Sequence, residues 1–281
     1  MRPSAARVIA THAALIAATL VTLYPVLWVV KTALSPGGGL SASALPLPRE
    51  ATLDNFADVV GTTGAGGEWL FGRQLLNSIV VASAATLVGL ALSATAAYAF
   101  SRFRFPGREG GMRFLLVTQM FPGVVMAIPL YILLDRLGLL DSLTGLVLVY
   151  ATTTLPFCIW MLKGWFDTLP REIEEAALID GASRRVYFVR IVLPLSRPAL
   201  VVTGLFSFMS AWNEFILAST FLGREEVFTL PVLLHRYVGA QHTDWPRFAA
   251  GAIIVSIPIM ALFLALQRHL VGGLTAGSVK G

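Results

Sequence analysis

An all-helical membrane protein with six crossing helices is the fold this sequence predicts, and three observations predict it. Charged residues make up only 13% of the chain against 56% hydrophobic, with a mean hydropathy of +0.74, whereas soluble domains carry about 25% charged residues. The apolar residues are gathered into blocks long enough to cross about 30 Å of hydrocarbon at about 1.5 Å of helix rise per residue. Basic residues fall between those blocks and are unequally shared between the two sides.

Windows of about 20 residues place spans at residues 8–33, 75–100, 112–134, 142–166, 196–222 and 247–270. The first block follows Arg2 and Arg7 and continues to Val30. That exceeds the core of about 7–15 residues found in cleaved signal peptides, so it reads as a retained span. If the N-terminus is cytoplasmic, that side holds Arg2, Arg7, Arg102, Arg104, Arg108, Arg113, Lys163, Arg171, Arg184, Arg185, Arg190, Arg197, Arg268 and Lys280, 14 of the 21 basic residues. The positive-inside rule then makes both termini cytoplasmic. Residues 34–74, with Ser35-Pro-Gly-Gly-Gly39 and Leu45-Pro-Leu-Pro48, read as an irregular external loop. Pro122, Pro129, Pro156 and Pro258 interrupt spans, each removing a backbone donor that neighbouring helices or water must replace.

Several functions fall away on composition and spacing. The net charge of +5 would suit nucleic acid, but the basic residues sit in inter-span loops, so no nucleic-acid partner is expected. The single cysteine, Cys158, lies in an apolar block, which excludes a disulfide framework and a cysteine-rich metal centre. A Gly-x-x-x-x-Gly-Lys-Ser/Thr phosphate loop is missing, so the chain is not expected to hydrolyse ATP itself. Ser183 is in a loop and His12 and His269 are near span ends, so no nucleophile and base meet at one depth. His235 and His242 are spaced unlike a zinc site. Inverted repeats or charges deep in the spans, the marks of a secondary transporter, are not evident.

Most information lies in the cytoplasmic segment 167–197 between spans four and five. Pro170 suits an opening helical turn, and Glu172, Glu174 and Glu175 lie near the positive end of that helix's dipole. Ala176 and Ala177 keep one surface low, Gly181 stops the helix in left-handed geometry, and Ser183 caps a second helix running to Pro194. The pattern Glu175-Ala176-Ala177, three residues, Gly181, nine residues, Ile191, one residue, Leu193-Pro194 resembles the EAA loop of binding-protein-dependent ABC importers. Ala97–Gly107, Gln119-Met-Phe-Pro122 and Gly273–Gly281 extend the resemblance over nearly the whole chain, towards the smaller, MalG-like permease of maltose-type importers.

That resemblance implies a type I ABC importer permease fold over residues 1–281, with a five-span core at 75–270. It implies docking of Glu174, Glu175, Ala176, Ala177, Gly181, Ile191, Leu193 and Pro194 on a separate ATPase dimer, which would bind ATP and Mg while this chain carries no cofactor. It further implies that the tail 271–281, through Leu274, Thr275, Ala276, Gly277 and Lys280, reaches between the ATPase subunits. Gly239, Ala240, Gln241 and His242 would enter the cleft of an external sugar-binding protein. A second, MalF-like permease, surrounding lipid and a prokaryotic plasma membrane complete the expected setting. The solute would be maltose, a maltodextrin or a related oligosaccharide, with glycerol phosphate as the alternative.

A sugar route needs polar groups inside the membrane, because an unreplaced hydroxyl hydration costs several kcal/mol. Span five supplies Trp212, Asn213 and Glu214. Glu214 lies about 24 Å along the helix from Pro198, which puts it towards the outer third of the bilayer, within reach of solvent. Gln119, Thr152, Thr153 and Thr154 are set apart, since hydroxyls on membrane helices commonly bond their own backbone or a neighbouring helix.

Overall fold

The computed structural model describes residues 4–37, 45–48, 50–239 and 243–276. Among them the only regular elements are helices: α1 (Ala5–Leu34), α2 (Asp54–Val60), α3 (Leu70–Arg102), α4 (Arg108–Thr118), α5 (Gly123–Arg136), α6 (Leu143–Thr168), α7 (Arg171–Ile179), α8 (Arg184–Tyr187), α9 (Leu193–Leu195), α10 (Arg197–Trp212), α11 (Ile216–Phe221), α12 (Leu230–His235) and α13 (Trp245–Ala276), with a π-helical turn at Phe188–Val192 and a 3-10 turn at Glu225–Val227. Four helices, α1, α3, α6 and α13, are each long and apolar enough to cross a membrane. The count reaches six if each of two bent pairs, α4 with α5 and Arg184–Leu195 with α10, is one span.

One bend falls inside the span expected at 112–134 and the other at the start of the span expected at 196–222. Helices α4 and α5 meet at 102°, because Pro122 has an extended backbone (ψ 129°) and α5 restarts at Gly123. Of the four prolines expected to interrupt spans, only Pro122 lies at a break; Pro129, Pro156 and Pro258 remain inside α5, α6 and α13. Helix α10 stops at Trp212 and α11 begins at Ile216, so the fifth span is divided at Asn213–Phe215.

The chain forms two compact units, Met1–Gly72 with Leu233–Ile257, and Arg73–Val232 with Pro258–Gly281. In the first, α1 leaves most of its apolar surface exposed, while buried Asn55 of α2 donates to the carbonyls of Ala33 and Ser35 at 2.9 and 3.0 Å. Arg247 contacts Asp58 at 2.7 Å and Asp244 at 2.6 Å, tying α2 to the start of α13. In the second unit α6 is the most buried helix, with Leu146, Tyr150, Leu162 and Phe166 all but inaccessible. Helix α10 closes on α3 so tightly at Gly204 that a Cβ there would lie 3.0 Å from Leu90 Cδ1. The first turns of α3 hold the loop ahead of α12: Gln74 donates to Glu225 O, Asn77 to Glu226 O and Phe228 O, and Ser78 Oγ accepts from Leu230 N.

Candidate functional site

Two arrangements in the second unit bear on function, and the first is the segment between α6 and α10. Pro170, extended, leads into α7. At the far end Gly181 N donates to Leu178 O at 3.1 Å and Ala182 N to Ala177 O at 2.9 Å, with Gly181 at φ +82°. This is the paired bonding of a left-handed helix stop, which needs a residue free of a Cβ clash. Ser183 Oγ accepts from Val186 N and starts α8. The second helix continues through the π-helical turn and α9 to Leu195, then turns by 77° into α10. The two expected helices, the Gly181 stop and the Ser183 cap are present; the π turn is an addition, and the second helix passes Pro194 to end at Leu195.

The segment has a held face and a free face. Glu174 turns inward, accepting from Tyr98 Oη at 3.2 Å and pairing with Arg102 Nε at 3.3 Å. The side chains of Arg102 and Glu174 are only 5% and 16% exposed, so this pair is poorly screened by solvent. Arg102 also donates to Leu169 O at 2.9 Å. Around them Tyr98, Phe166, Ala177, Tyr187 and Val192 are buried together, with Ile191 and Leu193 packed against them. Tyr98 lies 4.8 Å from Phe188 and 5.7 Å from Phe103, ring to ring. Burial, then the neighbouring Glu174 carboxylate, raises the Tyr187 phenol above its ordinary pKa, so it stays neutral. Glu175, Ala176, Gly181 and Pro194 are exposed, as are the apolar Ile179, Val186 and Val189. The triplet Glu175-Ala176-Ala177 is therefore split, two residues outward and Ala177 inward.

The second arrangement is a cavity of about 430 Å³ bounded by the α4–α5 break, α6, α10 and α11. Glu214 is its anchor, accepting from Tyr150 Oη at 2.5 Å, from Leu217 N at 2.8 Å and from Ala218 N at 3.0 Å. The carboxylate thus satisfies the free amides of α11's first turn and ties α11 to α6. It is half-buried with fixed partners. Phe157 and Phe206, also lining the cavity, have ring centroids 4.0 Å apart, and Gln119 Nε2 reaches Thr153 O at 3.3 Å.

Of the three residues expected on the sugar route, only Glu214 lines this cavity. Trp212 is buried and stacked on Phe208 at 5.6 Å, and Asn213 Nδ2 returns to Met209 O at 2.9 Å. Gln119, Thr153 and Thr154, set apart in the sequence, do line it, although Thr153 and Thr154 each bond back to Tyr150 O. Tyr150, Phe157 and Phe206 were missed: an isolated aromatic on an apolar helix carries no sequence signal separating a cavity wall from core. Elsewhere, Gly239 is exposed beside the Val238–Thr243 bridge, while Ala240, Gln241 and His242 lie outside the described residues. Leu274, Thr275 and Ala276 close α13; Gly277 and Lys280 also lie outside the described residues. Among the described residues no cluster of His, Cys, Asp and Glu could hold a metal.

A family model described as "Binding-protein-dependent transport system inner membrane component" matches residues 60–275. The chain belongs to this family, the membrane-embedded permease subunits of ABC transporters. It is similar to the galactooligosaccharides transport system permease protein GanQ of Bacillus subtilis, 37% identical and covering 93% of this chain and 92% of that one. It is also similar to the maltodextrin transport system permease protein MdxG of the same organism, 35% identical over the whole of both. Among solved structures, a bacterial ABC transporter involved in the import of the acidic polysaccharide alginate has a TM-score of 0.77 at 22% identity, covering 95% of this chain and 98% of that one. That likeness establishes the fold.

Proposed function

We propose that this chain is one of two permease subunits of an ATP-driven, binding-protein-dependent sugar importer, forming half of the translocation route. It performs no catalysis itself, and a separate ATPase dimer supplies the energy and binds ATP and Mg. The observation that carries the reading is the two-faced segment 167–197. One face is anchored on the inner ends of α3 and α6 through Arg102, Tyr98 and Phe166. The other offers Glu175, Ala176, Ile179 and Val189 to a partner, with Ile179 86% exposed; an outward apolar patch on such a loop marks a docking surface. Closure of the ATPase pair would move this segment as a unit and, through Glu174 and the 77° bend, drive α3 and α10.

In this reading both termini are cytoplasmic in a prokaryotic plasma membrane. The remaining contacts are a MalF-like companion permease, an external sugar-binding protein at Gly239, Ala240, Gln241 and His242, and the ATPase interface at Leu274, Thr275, Ala276, Gly277 and Lys280. The solute is a maltodextrin-type oligosaccharide, supported by relatives named for maltodextrin and galactooligosaccharide transport. Co-purification tests it. The tagged chain should bring a companion permease and an ATPase, and the complex in proteoliposomes with its binding protein should take up oligosaccharide on ATP. Uptake by the chain without an ATPase would instead make it a secondary transporter.

A further inference from the structure

We propose that the groove between α3, α10 and α13 is a binding site for one anionic phospholipid, with the lipid phosphate on Arg197 and an acyl chain along the apolar walls. The groove lies within the second unit and has a volume of about 770 Å³. Its α10 wall is Arg197, Leu200, Val201, Gly204, Leu205 and Phe208, a series at the three- and four-residue intervals that make one helix face. Helices α3 and α13 supply the other walls, and besides Arg197 the polar side chains among the described lining residues are the hydroxyls of Ser83 and Thr86 alone.

Length, charge and access each point to a phospholipid. Arg197 and Phe208 stand eleven positions apart at the two ends of the α10 wall, about 16 Å at about 1.5 Å of rise per residue. One leaflet contributes half of the hydrocarbon core of about 30 Å, or about 15 Å. With Phe208 at the bilayer centre, Arg197 therefore stands at the depth of the headgroups, and the groove between them has the reach of one acyl chain. Leu87, on the α3 wall, is 69% exposed, so the groove opens sideways, where lipid can enter from the bilayer.

Arg197 is the one charged residue among the described lining residues; it is exposed, and no ion pair or hydrogen bond occupies its side chain among the described residues. A guanidinium presents a planar fork of N–H donors that matches phosphate, and a charge at the end of an apolar wall calls for a counter-ion. In the orientation proposed above, on which the choice of leaflet rests, this end faces the cytoplasmic leaflet, where anionic lipids are drawn to basic pockets between membrane helices. A saccharide is a poor occupant, since two hydroxyls cannot replace its hydration. A helix of another subunit would have to bring its own carboxylate to Arg197, whereas an anionic phospholipid carries the phosphate with its chain. Arg197 is also the first residue of α10 after the 77° bend, so the bound lipid ties α10 to α3 and α13 beside the joint with the docking segment.

The purified permease–ATPase complex, equilibrated in nanodiscs of equal parts phosphatidylcholine and phosphatidylglycerol and released into native mass spectrometry, should retain phosphatidylglycerol in preference. Arg197→Gln should lower that preference about fivefold, the factor equivalent to about 1 kcal/mol for one basic residue at an anionic surface, and Arg197→Lys should keep most of it. Leu262→Trp, which fills the groove and leaves Arg197 in place, should remove one tightly held lipid. Subunit stoichiometry in the same spectra reports assembly of each variant. Glycerol 3-phosphate, the headgroup chemistry without chains, should displace nothing. A photoreactive benzoylphenylalanine replacing Leu87 should label phospholipid; labelling of a companion permease instead means that a protein helix covers the groove and overturns the site. Equal retention of the two lipids by the wild type, or an unchanged preference in Arg197→Gln, also overturns it and leaves the importer reading standing. A chain that retains phosphatidylglycerol through Arg197 but assembles with no ATPase overturns that reading and keeps the site.

Discussion

Gly181 holds φ +82° with nothing within 4 Å of where a Cβ would stand, so substitution there meets open space but a strained backbone. Left-handed geometry costs a residue with a Cβ roughly 1–2 kcal/mol. Gly181→Leu should therefore leave the spans inserted and loosen the docking segment: purified complex should retain less ATPase subunit, and sugar moved per ATP should fall. Normal stoichiometry with normal uptake would remove this turn from the coupling path. Glu214 is the opposite case, a side chain with three partners. Glu214→Ala strands the Tyr150 hydroxyl and two amides, at about 1–3 kcal/mol for an unsatisfied buried group, and should lower the unfolding temperature of the detergent-solubilised complex more than Glu214→Gln does. Asn213→Ala should leave uptake near wild type, because its amide only returns to Met209. The two residues look alike in sequence. Only the positions of Tyr150 and the α11 amides separate them.

Between elements, the Arg102–Glu174 pair is the one charged link from α7 to α3 among the described ion pairs. Removing one partner of a buried pair leaves an uncompensated charge and is often worth about 3–5 kcal/mol. Arg102→Ala should accordingly lower coupling, measured as sugar transported per ATP hydrolysed, with the ATPase still bound through the outward face. The exchanged pair Arg102→Glu with Glu174→Arg should recover part of that coupling; no recovery would mean that the residues act independently. The helix-turn-helix itself was readable from Pro170, Gly181 and Ser183, because a helix stop and a cap are set by one or two residues each. Which of Glu174 and Glu175 turns inward was not readable, since both sit in one acidic run and only Tyr98 and Arg102, some seventy positions earlier in the chain, choose between them.

For the whole molecule, the charge distribution leads to a topology test. A tag placed after Gly281 should stay unlabelled by an impermeant reagent in intact cells and become labelled after permeabilisation; labelling in intact cells would reverse the orientation. Composition, apolar block length and the spacing from Glu175 to Pro194 determined the helical membrane class and the family, because hydrocarbon thickness and backbone hydrogen bonding leave a long apolar chain few alternatives. The tertiary structure alone decided where spans break and what gathers at the breaks. Pro122 stands at a break in its span whereas Pro129, Pro156 and Pro258 lie inside continuous helices, so a proline in sequence does not by itself fix where a span breaks. Gln119, Tyr150, Phe157, Phe206 and Glu214 come from two helices, α6 and α10, and from the turns after α4 and before α11, each ordinary in its own segment. Their shared cavity exists only because helices distant in sequence are packed at particular rotations, a property that local periodicity does not encode.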